Sequence, residues 1–251
     1  MVQVKEKSAE PILINAICAL AARFSDHQLL ANGMKKSECG HVYARRAKAY
    51  VVDTFPCPTL AAVQACLLLA YESFGSNQDS ALWMYLGCAI RMAEDLGLQK
   101  INGVKHSDHS VSLDRPSKQE EESIQHSRTD TFWAVYFLDR VISSGTGRQA
   151  ALRDVDIELK FPPLITDLQD EWPNPFPALV HIVHLYGKVS DFLNSIKVVE
   201  DVTPETIAGL FAMEENLTQL YHKLDTRLTF SAINFQHYVQ SRESTCFTLV
   251  S

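Results

Sequence analysis

Few residues in this chain are of the types and spacings that do chemistry. His181 and His184 stand three apart, as do His106 and His109, and on a helix that spacing can put two imidazoles on one divalent metal. The second pair lies in a polar stretch with no rigid scaffold, and the first has no acidic residue in register. Asp154 and Asp156 flank Val155 and offer two carboxylates to a cation. In a segment that alternates polar and apolar residues, they read instead as a solvated edge. Gly145 to Arg148 offers amides and a guanidinium to an anion, but it lacks the lysine and the preceding strand of a phosphate-binding loop. It reads as a turn capping a long helix. Glu120, Glu121 and Glu122 read as a solvated helix start, and no Gly-x-Ser-x-Gly elbow is present. The cysteines are Cys18, Cys39, Cys57, Cys66, Cys88 and Cys246. The nearest pair, Cys57 and Cys66, is nine residues apart, without the close spacing of a structural zinc site, so all are expected reduced and unligated. The expectation is therefore no catalytic residue, no cofactor site and no metal site in this chain.

Composition narrows the function classes further. Of 251 residues, 30 are acidic and 23 are lysine or arginine, a formal net charge of -7 that repels a phosphate backbone. Direct DNA contact is disfavoured on that ground. The chain is 46% apolar and 21% charged, as a globular protein with a sizeable core should be. Its longest apolar run, Leu60 to Tyr71, is broken by Gln64 and is shorter than the roughly 18 residues of a membrane span, so no membrane partner is expected.

The elements read as helices. Ile12 to Phe24 is a mostly buried helix, and His41 to Phe55 a second with Val42, Ala49, Val52 and Phe55 inward. Pro56 and Pro58 stop it, and Thr59 caps a third helix, Leu60 to Phe74. Asp79 or Ser80 caps a fourth, whose Leu82, Leu86, Ala89, Ala93 and Leu96 form one apolar stripe. Arg91 and Asp95 are spaced to pair across one turn. Gly97 suits the left-handed position after this helix, with Leu98 as its apolar clasp. Glu120 to Ile142 is a long helix. Arg153 to Phe161 alternates like a strand. Further helices run over Pro177 to Val199, from Thr203 to Leu224 with Leu210, Met213, Leu217, Leu220 and Leu224 inward, and from Phe235 onward. Linkers are placed at residues 99–119 and 162–177. The fold class is all-α, a multi-helix bundle of about eight helices with one short extended segment. Because the chain stops inside an apolar helix at Phe247, Leu249 and Val250, it reads as C-terminally truncated and of marginal stability.

Three segments carry a resemblance. Trp83 to Leu98, with Gly87, Ala89, Arg91, Asp95 and Gly97, is similar to the signature of the fungal transcription factor middle homology region. Arg128 to Arg140, with Phe132, Trp133, Asp139 and Arg140, resembles its second signature. Gly147, Arg148, Asp154 and Asp156, ending at Phe161 and Pro162, resemble its third. The signatures lie in order within about residues 10–165, and Pro58 to Gln64 fits the helix before them. The wording from Phe132 to Gly147 looks closest to the xylanolytic-activator branch.

The resemblance implies a nuclear regulatory domain of a zinc-cluster factor that controls RNA polymerase II transcription, and not an enzyme. DNA binding and zinc would belong to a cysteine-rich module outside this chain. The implied partners are other regulators or corepressors, a second copy, DNA only through the parent protein, and a small-molecule effector. A pocket for that effector is expected near Trp83, Trp133 and Tyr136. The signature residues are expected to be mainly architectural: Gly87 and Ala89 for close helix packing, Arg91, Asp139 and Arg140 in buried or half-buried ion pairs, and Arg148 at a helix C-terminus. The alternative from another class is an all-α enzyme, which would need carboxylates or a metal converging in a cleft.

Overall fold

The computed structural model describes residues 10–25, 35, 38–101, 103, 117–164, 173–229 and 231–241, with side chains through 236 in the last segment. The His106 and His109 pair, Trp172, Cys246, the terminal Phe247, Leu249 and Val250, and the middles of both linkers lie outside these residues. Among the described residues there are eight α-helices and no strand: α1 (Pro11–Ala21), α2 (His41–Tyr50), α3 (Leu60–Gly75), α4 (Asp79–Asp95), α5 (Lys118–Thr146), α6 (Phe176–Ser195), α7 (Pro204–Lys223) and α8 (Ala232–Ser241). The chain is all-α. It divides into two compact units, one of Met1–Val135 with Ala151–Leu159, the other of Tyr136–Ala150 with Lys160–Ser251.

In the first unit α3 packs along α4, and α1 packs on α2 and α3. Thr59 caps α3 as expected: its Oγ1 accepts the Ala62 amide at 3.1 Å, an interaction that contributes about 1 kcal/mol. The Thr59 hydroxyl also donates to Glu10 Oε2 at 2.9 Å, tying the start of α3 to the start of α1. All five residues of the α4 stripe, Leu82, Leu86, Ala89, Ala93 and Leu96, are buried. The helix begins without a side-chain cap, with Gln78 at the cap position and Asp79 in the first turn, where its charge suits the helix dipole. Its end is closed by Gly97 at φ +62°, with the Leu98 amide donating back to the Ala93 carbonyl at 2.9 Å and the Leu98 side chain buried.

The α2 face turns out differently from its sequence reading. Val42, Val52 and Phe55 are exposed, and Ala44, Ala47 and Val51 are the buried residues. The helix docks through its small side chains, which let two backbones approach, while its larger apolar ones stay outside. It ends at Tyr50, and residues Val52–Thr54 form a 3-10 turn.

Arg153 to Phe161 is not a strand. Asp154–Asp156 is a 3-10 turn between extended flanks; Val155 is exposed, and Ile157, Leu159 and Phe161 are half-buried. Among its ties to neighbours, the Glu158 amide donates to the Gln99 carbonyl at 3.0 Å and the Glu158 carboxylate accepts the Ile101 amide at 3.4 Å.

In the second unit α6 packs on α7. Thr203 caps α7, accepting the Thr206 amide at 3.3 Å, with Pro204 at the first helical position. Of the five α7 residues expected inward, only Leu220 is buried; Leu210 and Leu217 are exposed. Periodicity places these side chains on one face, but a single neighbouring helix covers only a narrow strip of it.

Candidate functional site

The first unit holds a cavity of about 650 Å³ built on α4. Trp83, Gly87 and Arg91 recur every fourth residue, so they run along one face of that helix, with Met84 and Cys88 beside them. Phe55, Pro56 and Pro58, from the segment between α2 and α3, also line it, as do the buried Leu86, Ile90 and Met92. The lining is largely apolar. Arg91 stands at the rim, its Nη1 2.9 Å from Glu94 Oε2, three residues on. The ion pair therefore forms with Glu94 and not with the expected Asp95, and it is solvent-exposed, with the Arg91 side chain 82% accessible. Exposed pairs of this kind contribute well under about 1 kcal/mol.

Trp83 lines this cavity, but the other two residues expected around it do not. Trp133 is buried and makes an edge-to-face contact with Phe132, ring centroids 5.3 Å apart. Tyr136 is buried in the second unit. Gly87 also departs from its expected packing role: a Cβ built on it would meet nothing within 4 Å. Ala89 keeps the packing role, being fully buried.

The remaining signature residues fall in several places. Gly147, at φ +67°, closes α5, and it is the backbone amide of Arg148 that caps the helix, donating to the Ser143 carbonyl at 3.1 Å. Asp139 and Arg140 are buried, the Arg140 guanidinium 4.8 Å from the centre of the Tyr136 ring. Asp154 and Asp156 are exposed, with Asp156 Oδ2 2.7 Å from Arg153 Nε. Arg128, which no spacing singled out, donates from Nη2 to the Leu96 carbonyl at 2.8 Å. It thereby joins the second signature to the C-terminal end of the first, and burial pulls its pKa below the usual value.

A second cavity, about 560 Å³, lies in the second unit and carries His181 and His184 with Asn216, Gln219 and Lys223. The two imidazoles have separate partners. His181 Nε2 donates to the Pro162 carbonyl at 2.9 Å, and His184 Nδ1 lies 2.7 Å from the Tyr136 hydroxyl. The Phe161 ring sits against both, at 5.1 and 4.7 Å. Among the described residues no three His, Cys, Asp or Glu side chains come together as a metal site.

The thiols on α3 and α4 are held protonated. Burial, with Cys88 as a lesser cause, pushes Cys66 from 9.0 up to about 12, and burial raises Cys88 as well. Because the folded pKa lies above the unfolded one, the stability tied to the Cys66 thiol is complete below about pH 9 and is lost as pH rises toward 12. The melting temperature should fall on alkaline titration, and Cys66→Ala should make that fall shallower. Melts followed by circular dichroism from neutral pH upward check this. A parallel fall in both proteins would show that the Cys66 thiol is not the cause.

The described residues thus define an all-helical chain with an apolar cavity on α4. The chain matches the family described as "Fungal specific transcription factor domain" over residues 3–239, and it belongs to that family. It is similar to an uncharacterized transcriptional regulatory protein of Schizosaccharomyces pombe, 25% identical over 289 aligned positions that cover 99% of this chain and 40% of the relative. The Zn(2)-C6 fungal-type transcription factor FTF1c of Fusarium oxysporum f. sp. lycopersici is 29% identical over 179 positions, 71% of this chain and 19% of the relative. A second transcriptional regulatory protein of S. pombe is 34% identical over 153 positions, 60% of this chain and 15% of the relative. The chain thus spans between 15% and 40% of the length of these relatives. No solved structure matches it significantly. The chain is a regulatory domain of the fungal transcription factor class. The likeness to the xylanolytic-activator branch rests on the Phe132 to Gly147 wording alone.

Proposed function

We propose that this domain works within a longer nuclear regulator of RNA polymerase II transcription, setting the output of a separate module that touches DNA, and that it catalyses no reaction. The observation that carries this is the family match over residues 3–239, nearly the whole chain, together with relatives named as transcription regulators. A formal net charge of -7 supports assigning the DNA contact elsewhere, since anionic surfaces do not release counterions from a phosphate backbone. On this reading zinc belongs to that other module, in keeping with the Zn(2)-C6 designation of the Fusarium relatives. No helix among the described residues is long and apolar enough to cross a membrane. The domain's partners on this reading are other regulators or corepressors and a second copy of itself, with a small-molecule effector as its input.

The test is a fusion of the whole chain to an unrelated DNA-binding module, measured on a reporter in a fungal host. The fusion should change reporter output relative to the DNA-binding module alone, and the unfused chain should show no retention of DNA in a gel-shift assay at low salt. An unchanged reporter, or salt-sensitive DNA retention by the chain itself, would overturn the reading.

A further inference from the structure

We infer that the α4 cavity is a binding site for an uncharged, largely apolar small molecule with a flat ring, seated over Gly87. Glycine in a helix interior costs roughly 1 kcal/mol relative to alanine, so its presence calls for a reason. Backbone geometry gives none, since Gly87 is not among the residues of positive φ. Neighbour packing gives none either, because a Cβ at this position would meet no atom within 4 Å. What the missing side chain leaves is open floor in the cavity, between Trp83 one turn before and Arg91 one turn after. An occupant can there approach the helix backbone with the Trp83 ring beside it.

The walls and charges set the class of ligand. A volume of about 650 Å³ lies well inside the range of small-molecule sites. Pro56 and Pro58 restrict the backbone of the lining segment between α2 and α3, so little ordering there has to accompany binding. Phe55, Met84, Leu86 and Ile90 offer apolar surface. The one cation of the lining, Arg91, is already answered by Glu94 at 2.9 Å, and Asp95 adds a carboxylate to the rim. With a carboxylate already beside Arg91, an anionic ligand gains less there than it would from a lone guanidinium, and an uncharged one loses nothing.

This inference supplies the effector chemistry of the regulatory reading and rests on that reading for its meaning. Binding is measured on the chain without any transcription, so the two can fail separately. The probe is N-phenyl-1-naphthylamine, an uncharged fused-ring fluorophore, titrated into the whole 251-residue chain. Saturation at one probe per chain is expected. Gly87→Leu, which fills the floor, should weaken the probe at least about ten-fold, a loss of about 1.4 kcal/mol, without lowering the melting temperature. Met84→Glu places a charge at the mouth on a side chain that is already 65% exposed, so it tests the same site at little risk to the fold, and it too should weaken the probe. Gly145→Leu is the control: it fills an equally open position on α5 that does not line the cavity, and it should leave affinity unchanged. Unsaturable uptake, or an affinity in Gly87→Leu and Met84→Glu unchanged from that of the unaltered chain, would overturn the proposal. So would tighter binding of 8-anilinonaphthalene-1-sulfonate, which is the same ring system bearing a negative charge. A chain that sediments as a dimer and becomes monomeric with Gly87→Leu would show that a second copy fills the cavity instead.

Discussion

Lys48→Met should lower the stability of the chain by roughly 2–4 kcal/mol, and Glu72→Met made in addition should restore most of that loss. Glu72 lies on α3 with its side chain 2% accessible, and Lys48 Nζ reaches it from α2 at 3.0 Å to Oε2. The approach is an ion pair by distance, off the line a hydrogen bond requires. The other carboxylate oxygen, Oε1, accepts the Ser76 hydroxyl at 2.9 Å. Removing the lysine alone therefore strands a carboxylate with one neutral donor in a dry place. The effect falls short of a fully buried pair because the Lys48 side chain keeps 26% of its accessibility and can share its charge with water. Lys48 also stands 5.6 Å from the centre of the Tyr85 ring on α4, so one ammonium links three helices of the first unit. Urea unfolding of the two single variants and the double variant gives the coupling directly. Additive losses would mean that Glu72 does not depend on Lys48.

Much of the helix capping in both units could be read from the sequence, because its signals are local. Thr59 and Thr203 lie before apolar runs, and each caps its helix with its own hydroxyl. Gly97 and Gly147 end helices in the left-handed region that the sequence readings of a stop and a turn imply. The α4 stripe is buried at all five positions, since α3 covers that whole face. The same periodicity misled on α7, where Leu210 and Leu217 are exposed. A stripe reports which side chains share a face, and the covering element is a separate fact that no spacing within the helix contains. On α2 the error was one of face: Val42, Ala49, Val52 and Phe55 read as inward and are exposed, while Ala44 and Ala47, on another side of the helix, are buried. Arg153 to Phe161 alternated like a strand, yet alternation builds a strand only with a partner to pair with.

The site was less legible than the fold, and for a related reason. Arg91 met Glu94 instead of Asp95, both within reach along one helix, so helical spacing alone allowed either. Arg128 reaches Leu96 across 32 residues of chain, which is invisible before the helices are placed. Trp83, Trp133 and Tyr136 looked alike as aromatic signature residues. Only Trp83 sits on the cavity, because Phe132 and Trp133 are spent on the core. The expected packing role of Gly87 passed to Ala89, two residues on and on the covered side of α4.

Two adjacent substitutions on α4 should move stability in opposite directions. Leu86→Ala removes a side chain that is 1% exposed and should cost about 2–4 kcal/mol, the sum of lost transfer energy and vacated volume. Leu86 borders the cavity, so part of the vacated space joins a volume that already exists, which keeps the cost below the upper end of such substitutions. Gly87→Ala should instead add about 0.5–1 kcal/mol, because its Cβ meets nothing within 4 Å and alanine loses less backbone freedom on entering a helix. Urea midpoints at neutral pH measure both. A destabilising Gly87→Ala would mean that the floor of the cavity is already filled in solution, and the open space at that residue would lose its meaning for ligand binding. A small effect of Leu86→Ala would mean that α3 and α4 close over the gap. A stabilising glycine replacement beside a costly leucine one is the pattern expected of a helix with one face in the core and the next held open.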